Sequence, residues 1–147
     1  MVSGAAIKKL YISKNGWGIS THIDLYDCEP STVKDKELIK LSVKELGKII
    51  EANLYGETIL AYFGATPDVY GYSMLQLIDS SNMAAHYVEK TNHVFFEMFS
   101  CKPYDPEKVL DYLMKIHKAK GAKAKVLFRG LPDFHEHIFV KGIIPNN

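Results

Sequence analysis

Residues 18 to 28, GISTHIDLYDC, alternate between apolar and polar positions and are rich in β-formers, which predicts a strand. The period then changes. In STVKDKELIKLSVKELGKIIEANL, Ser31 reads as an N-cap with Asp35 and Glu37 early in the helix. Leu38, Leu41, Leu46 and Ile49 fall at helical spacing beneath a charged outer face. ETILAYFG and YGYSMLQLID predict two further strands separated by the turn-like ATPDV. AAHYVE and HVFFEMFSC read as a hairpin joined through Lys90-Thr91-Asn92. A second helix starts at Asp105 as cap with Pro106 in its first position. Its buried face is Val109, Leu110, Leu113, Met114 and His117, and Gly121 ends it before the strand AKAKVLFRG. The tail PDFHEHIFVKGIIPNN fits either a strand or an extended arm. With no repeat or linker, the pattern predicts a single α+β domain over residues 1–147, an antiparallel sheet with helices packed on one face.

Composition narrows the function classes. The chain has 147 residues, 47% of them hydrophobic, enough to bury one sizeable core. Eighteen Lys and Arg face 17 Asp and Glu, so its net charge of +1 offers no electrostatic handle for nucleic acid or an anionic membrane. No apolar run approaches the roughly 18 residues of a membrane span, and the first residues lack a signal-type apolar segment. A cytoplasmic protein with two reduced cysteines, Cys28 and Cys101, is the expectation. CxxC, HExxH and Gly-rich phosphate motifs are absent, and His135-x-His137 lacks a third ligand in register, so no metal is expected.

Three polar places remain as candidates for chemistry: Asp79-Ser80-Ser81-Asn82 after an apolar strand, His86, and Ser100-Cys101-Lys102 before the second helix. If the Lys90–Asn92 hairpin pairs tightly, Ser81, His86 and Cys101 converge on one cleft. Each place also has a plain reading: a turn, a strand-edge histidine, a small buried hydrophobe. Residue patterns alone stop at an α+β domain with a candidate Ser/His/Cys cleft.

The same residues carry a resemblance to the short, bacterial-type S-adenosylmethionine decarboxylases, which spans roughly residues 18 to 130. The segment LIDSSNMAAH resembles the family's processed serine with a histidine five positions on, here Ser81 and His86. FSCKPYDPEKVLDYL matches the family's cysteine, Cys101, fifteen positions further, before Asp-Pro and a helix. Gly71-Tyr72-Ser73 supplies a serine eight positions before Ser81, and Asp24-Leu25-Tyr26-Asp27-Cys28 matches an early strand end.

The resemblance implies self-cleavage between Ser80 and Ser81, assisted by Ser73 and His86. Ser81 would become a pyruvoyl cofactor that forms a Schiff base with a small-molecule amine substrate. It implies Cys101 as proton donor, a thiol being protonated near neutrality at its ordinary pKa of about 8.5. It further implies Phe63 as an adenine-stacking ring, a homodimer of processed chains, and decarboxylation of S-adenosylmethionine for polyamine and spermidine synthesis. The chain departs from the common pattern in three places. Ser80 stands where many relatives have Glu, Asn82 where they have His, and Tyr87 to Thr91 replaces Trp-Pro-Glu. The last change touches the substrate pocket. Arginine or ornithine, drawn by Glu89 or Glu97, is therefore an alternative substrate. Two further alternatives are an unprocessed, non-catalytic paralogue acting as a binding or regulatory subunit and a Cys–His hydrolase built on Cys101 and His86.

Overall fold

The computed structural model describes residues 2–146 of the chain. In chain order the elements are α1 (Gly4–Lys14), β1 (Gly18–Tyr26), α2 (Pro30–Val33), α3 (Lys36–Ile49) and β2 (Leu54–Phe63). A 3-10 turn (Pro67–Val69) follows, then β3 (Gly71–Ile78), β4 (Ser81–Val88), β5 (His93–Ser100), α4 (Pro106–His117), β6 (Gly121–Arg129) and β7 (His135–Gly142). The strands form one antiparallel sheet in the order β2-β3-β4-β5-β1-β6-β7, with the first long strand inserted between β5 and β6. The ambiguous tail is a strand, pairing β6 from Phe128↔His135 to Gly121↔Gly142. The predicted α+β architecture with helices on one face is what forms.

Register assigns each side chain to a face. Ile19, Ile23 and Leu25 share one face with Phe96, Val94, Val126 and Phe128, and all are buried under the helices. Ser73, Leu75, Phe95, Glu97, His22 and Ile138 share the other face, which no helix covers. That open face exposes Ile59, Phe63, Leu75, Leu77, Phe95, Ile138 and Val140, an unusually apolar surface for a lone chain.

The helices depart from expectation in informative ways. Asp35, and not Ser31, caps α3, its carboxylate accepting Glu37 and Leu38 N–H at 3.0 Å, while Ser31 lies within the short α2. The buried stripe of α3 is Ile39, Val43 and Leu46 with Ser42 and Gly47, rotated from the expected face, and Leu41 points to solvent. Small Ser42 and Gly47 let the helix approach the sheet closely, and Ile39, Val43 and Leu46 each contribute about 1.5–3 kcal/mol by burial. The second predicted helix is α4 as read, capped by Asp105, but Lys118 in the left-handed conformation ends it, and Gly121 opens β6. α1 had no counterpart in the sequence reading. Ser3 accepts Ala6 N–H at its start, Asn15 closes it, and Ile7 and Tyr11 bury against the core. Glu107 fastens it to α4 by accepting Gly4 N–H at 2.9 Å, a bond that holds the Glu107 carboxyl below its ordinary range.

Candidate active site

β3 and β4 are joined by the two-residue turn Asp79-Ser80, so β4 starts at Ser81, three residues earlier than expected. Ser81 pairs with Ser100 and His86 with Phe95. At about 3.3 Å per residue, His86 therefore lies about 16 Å along the strand from Ser81. The expected convergence of Ser81, His86 and Cys101 within one chain does not occur. Cys101 follows Ser100 and sits at the Ser81 end, and the other members gather at the His86 end.

At the Ser81 end the turn is held from both sides. Asp79 N–H donates to Asn53 O at 2.9 Å, and Asn53 Nδ2 donates to the Asp79 carboxylate at 3.0 Å. Ser80 is buried, and its carbonyl accepts the backbone N–H of Cys101 at 2.9 Å. The Ser100 hydroxyl donates to Ser80 Oγ at 2.9 Å, and its oxygen accepts Lys102 N–H at 3.0 Å. Ser81 itself has φ of 154°, a region that L-residues with a Cβ avoid. Such a conformation costs about 1–3 kcal/mol and persists only where the surroundings impose it. The Cys101 side chain is exposed.

At the other end, Ser73 and His86 face each other across β3 and β4. His86 Nε2–H donates to Val69 O at 3.1 Å in the 3-10 turn, which leaves Nδ1 as the acceptor for the Ser73 hydroxyl at 2.7 Å. In the neutral ring this pair of bonds selects one tautomer. Gly71 keeps the register, because with φ of 157° a Cβ there would overlap the Tyr87 carbonyl oxygen. The Phe63 ring lies 6.4 Å from the His86 ring, so these two predicted residues do come together. Glu89 lies past the end of β4 and accepts the Tyr62 hydroxyl at 3.1 Å.

A cleft of about 440 Å³ opens beside Ser73 and His86 on the uncovered face, with Asp24, His22, Phe95 and Glu97 in its walls. His22 Nδ1 is 3.5 Å from Glu97, and its Nε2 is 3.1 Å from Ser20 Oγ. The sequence reading did not single out His22. Its place in the alternation of β1 was a signal, but only register reveals that it meets Glu97. His135 and His137 pack on Phe128 at 5.8 and 5.5 Å, and among the described residues no three metal-ligating side chains converge.

Known proteins carry these same elements. The S-adenosylmethionine decarboxylase family model matches residues 20–130. The chain belongs to that family. The match takes in Ser73, Ser81, His86 and Cys101, and leaves α1 and β7 outside. The chain is 26% identical to the S-adenosylmethionine decarboxylase proenzyme of Brevibacillus brevis over 116 residues, 78% of this chain and 84% of that one. It is 25% identical to the proenzyme of Pyrococcus furiosus over 112 residues, 76% and 77% of the two chains. The crystal structure of the Aquifex aeolicus adenosylmethionine decarboxylase superposes with a TM-score of 0.67 at 17% identity, covering 80% of this chain and 94% of that one. S-adenosylmethionine decarboxylases are carboxy-lyases, and the antiparallel sheet with helices on one face described above is the fold shared with that solved structure. No helix among the described residues is long and apolar enough to cross a membrane.

Proposed function

We propose that this chain is the precursor of a self-processing, pyruvoyl-dependent decarboxylase that acts on S-adenosylmethionine and serves polyamine synthesis. Ser81 carries the reading: a serine in a strained backbone conformation, directly after a carbonyl that accepts the Cys101 N–H. In processing, Ser81 Oγ adds to the Ser80 carbonyl carbon. The Ser80–Ser81 C–N bond breaks, the Ser81 nitrogen takes up the proton, and an ester remains. A base then removes the Ser81 α-proton, the Cβ–O bond breaks, and residues 1–80 leave with a carboxylate. The dehydroalanine left behind adds water and loses ammonia, which caps residues 81–147 with a pyruvoyl group. That ketone supplies an electrophile for a substrate amine and an electron sink for loss of carbon dioxide.

The chain's own residues fit the surrounding tasks. His86, aimed by its bond to Val69, exchanges protons during processing, with Ser73 as its partner. Cys101, exposed beside the cleavage point, returns a proton to the substrate α-carbon. Phe63 offers a ring face for adenine.

Because about 16 Å separates the two groups in one chain, the reading requires a homodimer. A two-fold axis through the open, apolar sheet face sets the Ser73–His86 pair of one chain against the partner's Ser81. The dimer buries Phe63, Leu75, Leu77 and Ile138, whose exposure is otherwise unexplained. A Cys–His hydrolase finds no such support, because Cys101 lies with Ser81 at the end of β4 away from His86. A cytoplasmic location belongs to the same reading, resting on the small-molecule substrate.

Intact-mass measurement tests it. Fragments of 80 and 67 residues are expected, the second blocked at its N-terminus, and Ser81→Ala should stay whole. A wild-type chain that remains at 147 residues after prolonged incubation would sink the reading.

A further inference from the structure

The geometry points to Ser100, paired with Ser80, as a positioning residue for self-cleavage, a role that rests on the processing reading above. Both hydroxyls are buried, Ser100 almost completely, and the donor–acceptor distance between them is 2.9 Å. Ser80 belongs to the β3–β4 turn and Ser100 ends β5, so this bond ties the turn to the loop beyond β5. Ser100 also organises that loop, accepting Lys102 N–H at 3.0 Å while its hydroxyl lies 3.1 Å from Lys102 O. Between residues 100 and 102 lies the Cys101 amide, whose N–H reaches Ser80 O at 2.9 Å.

That oxygen is the atom on which charge develops. When Ser81 Oγ bonds to the Ser80 carbonyl carbon, the π-electron pair moves onto Ser80 O. The charge is discharged again as the C–N bond breaks and the hydroxyl proton reaches the Ser81 nitrogen. A fixed N–H donor at such an oxygen is worth most when it needs no reorganisation. The Ser80–Ser100 pair supplies that rigidity: it holds the acceptor's residue and the donor's loop in one frame. The hydrogen bonds of the Ser100 hydroxyl go to Ser80 Oγ and to Lys102, and none goes to the Ser80 carbonyl oxygen or to the Ser81 hydroxyl. Its effect passes through the Cys101 amide, and shortening the side chain at 101 to alanine would leave it in place.

The test is the rate of chain scission, followed by intact mass from the moment of cell-free synthesis of the full chain. Ser100→Ala should slow scission about tenfold or more, since it removes the buried bond to Ser80 and also the acceptor of Lys102 N–H. Ser100→Thr, which keeps the hydroxyl, should restore most of the rate. Ser80→Ala should slow scission to a similar degree. The double variant should be no slower than the slower single, because both remove one shared bond. Thermal unfolding of each variant, made in the uncleavable Ser81→Ala background, separates misfolding from mispositioning. Scission of Ser100→Ala at the wild-type rate, absence of rescue by threonine, or multiplied deficits in the double variant would each overturn the proposal. A wild-type chain that never cleaves overturns the processing reading itself, and this one with it.

Discussion

The two ends of β4 are built by different means. At the Ser81 end the backbone is strained, the turn is two residues long, and hydrogen bonds from two loops hold it in place. At the His86 end the strand is regular, and Ser73 meets His86 only because they are opposed in register. Under the proposed function the first end changes covalently and the second only moves protons. A bond that must break gains from stored strain, whereas a proton relay gains from a rigid sheet that fixes one tautomer.

The largest effect that would break this comparison is expected from His86→Ala. Scission should slow by about 10²–10⁴, the usual range for a lost general acid or base. Coexpression with Ser81→Ala then asks where the two ends meet. In a mixed dimer, the chain carrying His86→Ala still has Ser81, and its partner still has His86. Cleavage of that chain should recover, as seen by mass. Continued silence would mean the ends do not meet across subunits.

Cys101→Ala sharpens the other end. Alanine keeps the backbone N–H that reaches Ser80 O, so scission should continue. Carbon dioxide release should fall about 10²-fold or more without the proton-donating thiol. Full turnover would remove Cys101 from the mechanism.

Phe63→Ala probes the pocket beside His86. It should lower kcat/KM for S-adenosylmethionine about tenfold, since stacking adds about 0.5–1.5 kcal/mol to the area buried. Arginine or ornithine should be affected less. If either is decarboxylated tenfold better by the wild type, the substrate assignment is wrong and the processing mechanism stands.

A fourth effect acts on stability and not on rate, at the helix-covered face of the sheet that both ends share. His117, the last residue of α4, is fully buried, and burial lowers its pKa from 6.5 to about 4. The Thr32 hydroxyl donates to Glu29 O at 2.7 Å, so Thr32 Oγ1 accepts His117 Nδ1–H at 3.2 Å and Nε2 stays bare in the core. The folded state disfavours the charged form, so the unfolded chain binds the extra proton first. Stability is full above pH 6.5 and falls as pH drops toward 4, by an amount on the order of 3 kcal/mol. Urea midpoints measured across that window should decline in Ser81→Ala protein, and His117→Gln should flatten the slope.

Legibility followed the range of the interactions. α4 was readable because Asp105, Pro106 and the Val109-Leu110-Leu113 stripe lie within a dozen residues. α3 was found but its start and its face were misjudged, since Leu41 and Val43 are equally apolar and only packing on the sheet chooses between them. α1 escaped notice although Ser3, Ile7 and Tyr11 were signals, because it is held by a distant Glu107. For the candidate site, Ser81, His86 and Cys101 were singled out by their places beside strands, and Ser73 by the resemblance to the family. Their separation was not, because the expected strand began at Ala84 and hid half a strand's length.

By itself, then, the order of residues determined which side chains are available for chemistry, the antiparallel α+β class, and the family. Those depend on local periodicity and on motif spacing along the chain. The tertiary structure decided that Ser81 is strained, that Ser80 is gripped by Ser100 and Cys101, and that His86 lies about 16 Å from Ser81. Register and backbone dihedrals arise from pairings between β3, β4 and β5, and no local pattern of apolar and polar residues encodes them.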